Sequence, residues 1–113
     1  MNVATDRADG IDIVRVGETR LIYPLLTAFA DTVAPLLRGD APKVVIDMSR
    51  VVYIDSASIG CLMDLYRQAS QAGGTVKLAG VQRRVETMLT MTGVPKFIEL
   101  HADDSSAVES FGE

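Results

Sequence analysis

Val44–Val81 reads VVIDMSRVVYIDSASIGCLMDLYRQASQAGGTVKLAGV, and this stretch decides the fold. Val44–Met48 is a nearly continuous β-branched run, which marks a strand covered on both faces and therefore central in its sheet. A second apolar run, Val51–Ile54, leads into Asp55-Ser56-Ala57-Ser58. Ile59, Leu62, Met63, Tyr66 and Ala69 then recur at three- and four-residue spacing, the period of an amphipathic helix. Gly73-Gly74 closes that helix, and Thr75–Ala79 alternates as the next strand.

The pattern continues outward in both directions. Ile11–Val16 (IDIVRV) reads as a strand with one wetter face, ended by Gly17. Residues 1–10 form either an edge strand or a flexible start. Leu25, Leu26, Phe29, Val33, Leu36 and Leu37 predict a helix that Pro24 opens, that Pro35 kinks or ends, and that Gly39 stops. Downstream, Val81–Thr92 predicts a helix through Val85, Met88 and Leu89, broken by Gly93-Val94-Pro95 before a short strand at Lys96–Leu100. Asp103-Asp104-Ser105-Ser106 caps a last helical turn or two with Val108 and Phe111 inward. Strands alternating with helices predict an α/β sandwich. Its sheet is mixed and mostly parallel, of about four to five strands with about four helices. With 113 residues, one domain over 1–113 is the expectation.

Composition narrows what such a domain does. Apolar residues make up 48% and charged residues 23%, so the chain can build an ordinary core. Fifteen acids against eleven bases give a net charge of −4, which argues against a surface made for nucleic-acid phosphates or anionic lipid. One histidine (His101) and one cysteine (Cys61) supply neither a Cys/His metal site nor an internal disulfide. Neither a nucleophile–base pair nor a phosphate-binding glycine loop can be drawn, so the expectation is a protein without enzymatic activity, cofactor or metal. Met1–Gly10 carries Asp6, Arg7 and Asp9 and has no apolar centre, unlike a secretory signal. Leu21–Leu26, the longest apolar stretch, is too short to span a bilayer. A cytoplasmic protein with no direct membrane insertion is expected.

The chemistry concentrates at Asp55–Gly60. A strand delivers a carboxylate and two hydroxyls to a helix N-terminus, where Asp55 or Ser56 can cap the first free amides. The same position suits an exposed serine that accepts phosphate, because a helix N-terminus favours negative charge. With Ile59, Leu62, Met63 and Tyr66 turned to the core, Ala57, Gly60, Cys61, Asp64 and Gln68 fall on the opposite side. Small groups beside Ser56, flanked by Asp64, make a smooth patch on which a protein could dock; short residues on a helix also occur without such a role. Elsewhere, His101 reads as a surface residue and Cys61 as a small packing residue. Arg83-Arg84 with Lys77 and Lys96 reads as a solvated basic patch.

The quoted stretch, followed by VETMLTMTGVPKFIEL (Val85–Leu100), resembles the STAS domain of bacterial anti-sigma factor antagonists. Asp47, Asp55, Ser56, Ile59, Gly60, Gly73, Gly74, Thr92 and Gly93 stand at matching positions, and the likeness runs from about Ile11 to the C-terminus. The resemblance implies a STAS-like fold and a partner-switching regulator. Ser56 would be the acceptor for an anti-sigma factor that is also a serine kinase, and a phosphatase would reset it. Asp55, Ser56, Ala57, Gly60, Cys61 and Asp64 would meet the partner. The chain departs from the family at Ser58, where glycine is usual, which makes Ser58 a second candidate acceptor. It departs again at Ala57, in place of a second serine, and at Arg20, in place of an acid near the junction. Two other roles fit the same resemblance: a cytoplasmic STAS subunit of a lipid ABC transporter, and a scaffold subunit of a stress-signalling complex.

Overall fold

The structure, a computed structural model, describes residues 1–112; Glu113, the last residue of the expected domain, lies outside them. The seven strands are β1 (Val3–Ala8), β2 (Ile11–Val16), β3 (Arg20–Leu21), β4 (Lys43–Asp47), β5 (Tyr53–Ile54), β6 (Thr75–Ala79) and β7 (Leu100–His101). The four helices are α1 (Leu26–Val33), α2 (Ser56–Gln71), α3 (Arg83–Met91) and α4 (Asp104–Ser110). The main sheet has the order β1-β2-β4-β6-β7. Its β1–β2 pair is antiparallel and every other pair is parallel. The mixed, mostly parallel sheet with four helices is the architecture expected from the alternation of elements.

The central strands β2, β4 and β6 bury residues on both faces. Val14, Val16, Val44, Ile46, Val76 and Leu78 point to the face covered by α1, α2 and α3, where Phe29, Val33, Leu62, Leu65, Ala69, Val85 and Leu89 complete the core. Ile11, Ile13, Val45 and Ala79 point the other way, against Ala107, Val108 and Phe111 of the C-terminal segment. The β-branched run of β4 is thus covered twice, as its composition requires.

The N-terminal residues form an ordered edge strand. Asp9 (φ 54°) and Gly10 (φ 77°) make a two-residue hairpin turn. Such a turn needs positive φ at both positions and matches the twist of the strands it joins. Pro35 acts as anticipated: α1 stops at Val33 and the chain tightens into a 3-10 turn over Ala34–Leu37. The Gly73-Gly74 pair does two jobs. Gly73 takes φ 80° after α2, whereas a Cβ on Gly74 would lie 1.9 Å from the Pro42 carbonyl oxygen.

One strand differs from expectation. Lys96–Leu100 is not extended throughout: Val94–Lys96 is a 3-10 turn, and only Leu100–His101 pairs with β6. Pro95 fixes a helical φ two residues after the left-handed Gly93, so the chain turns again before it can join the sheet.

Candidate functional site

The junction between β5 and α2 is built by a small second sheet. β3 and β5 pair in parallel, Arg20 with Tyr53 and Leu21 with Ile54. The Val52 amide, just before β5, donates to the Thr19 carbonyl at 2.8 Å. Both chains therefore arrive at the start of α2 together.

Asp55 is the N-cap. Its Oδ1 accepts the Ser58 amide at 2.9 Å, and its Oδ2 accepts the Tyr23 amide at 2.9 Å. One oxygen satisfies a free amide of the helix, and the other fastens the segment leading into α1. The Ser58 hydroxyl also contacts Oδ1, at 2.7 Å. That hydroxyl contact, above all, holds the Asp55 carboxyl below its ordinary range; the Tyr23 and Ser58 amides add to it, and together they outweigh the opposing effect of burial. Asp55 is an anchored carboxylate.

The two junction serines part company. Ser58 has no accessible surface, and its hydroxyl donates to the Leu21 carbonyl of β3 or to Asp55. It ties helix, loop and second sheet together, and a kinase cannot reach it in this fold. The expectation that Ser58 could share the acceptor role is corrected on that ground. Ser56 stands at the first position of α2, is exposed, and its side chain makes no hydrogen bond among the described residues.

The orientation of α2 also needs correction. Its buried line is Ser58, Leu62, Leu65 and Ala69. That line is rotated by roughly a quarter turn from the face expected through Ile59, Leu62, Met63 and Tyr66. Ile59, Met63 and Tyr66 form a half-buried flank, and Ala57 and Cys61 form the opposite flank. Ser56, Gly60, Asp64 and Arg67 face outward. Gly60 is informative here: a Cβ at that position would meet no atom within 4 Å. Glycine inside a helix costs roughly 1 kcal/mol relative to alanine, and nothing within the molecule demands it. Asp64 is engaged with Arg67 at 2.8 Å. Burial, with Asp64 nearby, pushes the Cys61 thiol up, so it stays protonated and is a poor nucleophile.

Three further residues border the junction that sequence reasoning missed. Tyr23 is 74% exposed, Val52 40% and Tyr53 37%. Val52 and Tyr53 lie just before Asp55 in the chain, and the Tyr23 amide donates to the Asp55 carboxylate, so all three border the junction. The signal was present as aromatic residues in IYP and VYI, but only the pairing of β3 with β5 shows that they converge.

Other candidate residues lie elsewhere. Lys77 is not part of a basic patch with Arg83-Arg84. It is buried beneath α4, its Nζ donating to Ser110 Oγ at 2.7 Å and lying 4.2 Å from the Phe111 ring centre. Glu99 Oε1 accepts from this Nζ side at 3.3 Å and lies 2.9 Å from His101 Nε2. Among the described residues no group of three or more His, Cys, Asp or Glu could hold a metal ion, and no helix is long and apolar enough to cross a membrane.

A model of the STAS domain matches residues 2–107, and the chain belongs to that family. A Thermotoga neapolitana protein whose name places it among anti-sigma factor antagonists is 30% identical over 67 residues, 59% of each chain. The matched stretch thus spans less than two thirds of that relative's length. An anti-sigma factor antagonist domain protein of Planctomyces limnophilus has the same fold, with TM-score 0.90 at 16% identity over 98% of both chains. So has the Bacillus cell-fate determinant SpoIIAA in its phosphorylated form, with TM-score 0.73 at 11% identity over 97% of this chain and 99% of that one.

Proposed function

We propose that this protein is an anti-sigma factor antagonist, a cytoplasmic regulator that works by binding and not by catalysis. With Ser56 free it holds an anti-sigma factor that is also a serine kinase. Phosphate on Ser56 ends that contact, and a phosphatase restores it. The observation that carries this reading is the contrast at one helix start. Ser56 presents an unengaged, exposed hydroxyl, while the neighbouring Ser58 is enclosed. The open helix face around Gly60 and the exposed Tyr23, Val52 and Tyr53 support a protein partner. The names of the Thermotoga relative and of the structural neighbours agree with it.

The physical effect of the modification follows from its position. Phosphate adds about −1.5 to −2 charges and three acceptor oxygens. At the first position of α2 the helix dipole favours such a group by roughly 0.3–1 kcal/mol, so the fold tolerates it. Asp55 stays ionised beside it, and the combined charge opposes any partner group desolvated against Ser56. The switch therefore acts on the contact and leaves the domain intact.

The test is a phosphorylation assay with a kinase-type anti-sigma factor and ATP, read by intact mass and site mapping. One added phosphate on Ser56, absent from Ser56→Ala, is expected. Phosphate mapping to another residue, or equal labelling of Ser56→Ala, overturns the assignment.

A further inference from the structure

The charges around the junction are unevenly occupied. Both Asp55 oxygens take backbone amides, Glu18 Oε2 accepts the Asn2 amide at 2.6 Å, and Asp64 pairs with Arg67 at 2.8 Å. Arg20 is the opposite case. Its guanidinium lies over the Tyr53 ring, 5.3 Å from the centre, and no carboxylate pairs with it among the described residues. Arg20 is exposed, and β3–β5 pairing fixes its backbone beside Tyr53. The strand that carries it continues directly into Leu21 and Tyr23, which contact Ser58 and Asp55. A guanidinium drawn to an aromatic ring with no ion-pair partner keeps donors free for a planar carboxylate.

We propose that Arg20, held beside the Tyr53 ring, is the residue that selects the partner. The partner places a carboxylate against Arg20 and an apolar side chain on Tyr23, Val52 and Tyr53. This rests on the reading of the face as the anti-sigma kinase's docking site, and it names the chemistry of that kinase's contact segment. A partner segment that brings a cation to this position is repelled by Arg20, so one residue both attracts the right partner and rejects the wrong one. Asp64 is paired with Arg67, whereas Asp55 is held by backbone amides and keeps its charge; neither forms an ion pair with Arg20.

The test uses the kinase that phosphorylates Ser56, titrated with wild type, Arg20→Lys, Arg20→Gln and Arg20→Glu at low and high salt. Arg20→Glu is expected to weaken binding about 10- to 100-fold, chiefly through slower association, and to remove or reverse the loss of affinity with salt. Arg20→Gln falls between, and Arg20→Lys, which keeps the charge but loses the planar fork, lies between Arg20→Gln and wild type. All three should unfold at the wild-type temperature, because the side chain is on the surface. Arg20→Glu binding as tightly as wild type with the same salt dependence overturns the proposal. Phosphorylation of Ser56 is scored separately by mass, so failure of the docking chemistry and failure of the switch are distinct results.

Discussion

The starts of α2 and α4 use the same local device in different settings. Asp55 and Asp103 are both N-caps, accepting the amide of a serine three residues on at 2.9 Å and 2.8 Å. Each serine hydroxyl also returns to its aspartate, at 2.7 Å from Ser58 and 2.8 Å from Ser106. Beyond that the two diverge. Ser106 closes its box on Asp103 alone, through the Asp103 amide and carbonyl. Ser58 and Asp55 reach instead to Leu21 and Tyr23, making one cap hold three segments. The first helical positions differ as well. Asp104 is drawn to Arg15 at 3.2 Å, whereas Ser56 is left free. An identical cap can thus be a local stop or a tie between three chain segments, and the tertiary surroundings decide which.

The largest effect separating the two should come from charging the cap serine. Ser58→Asp buries a carboxylate beside Asp55 and removes the hydroxyl from the Leu21 carbonyl, a loss on the order of 3–5 kcal/mol. That is a large share of a typical domain's stability. Urea unfolding should show a folded fraction much reduced, while Ser106→Asp leaves the midpoint close to wild type. Equal effects at the two sites would break the comparison.

Removing the cap carboxylates comes next. Asp55→Ala loses a helix cap worth about 1–2 kcal/mol and also strips the Tyr23 amide of its acceptor. Asp103→Ala loses only a local box and should shift the unfolding midpoint less. Protection of the Tyr23 amide from hydrogen exchange should fall in the first variant and stay unchanged in the second.

The acid limb of stability is a finer test. Both cap carboxyls lie below their ordinary value of 3.8, Asp55 through the Ser58 hydroxyl first and Asp103 through the Ser106 amide first. Their contributions are present above pH 3.8 and fall away as pH drops through the folded values. Asp55→Asn and Asp103→Asn should each flatten the unfolding curve below that pH. Asp104 has the opposite sign. Burial first, then Asp47, raises its carboxyl, so its contribution is present below 3.8 and lost as pH rises through the folded value. Asp104→Asn should therefore leave stability less dependent on pH on the high side of 3.8. Chemical denaturation across an acid pH series reads all three.

Much of this was legible in the residues. The β-branched run of β4, the period of α2, the Asp-x-x-Ser starts and the paired glycines each state their own local structure. The Asp9-Gly10 pair also states its hairpin, which would have made the first strand firm. What the sequence hid was tertiary. A serine counts as polar in any periodic pattern, so Ser58 masked the true buried line of α2; only the Leu21 carbonyl, 37 residues away in the chain, explains its burial. Lys77 misled in the same way, because its partners Ser110 and Phe111 arrive from the far end of the chain. The exposed residues bordering the junction needed the pairing of two dipeptide strands that carry almost no periodic signal.

The central claim is that phosphate on Ser56 breaks a contact without breaking the fold. Titration of the kinase-type anti-sigma factor with unmodified and Ser56-phosphorylated protein tests it most directly. The account predicts at least about tenfold weaker binding of the phosphorylated form, roughly 1.4 kcal/mol or more. Equal affinity for the two forms would contradict it.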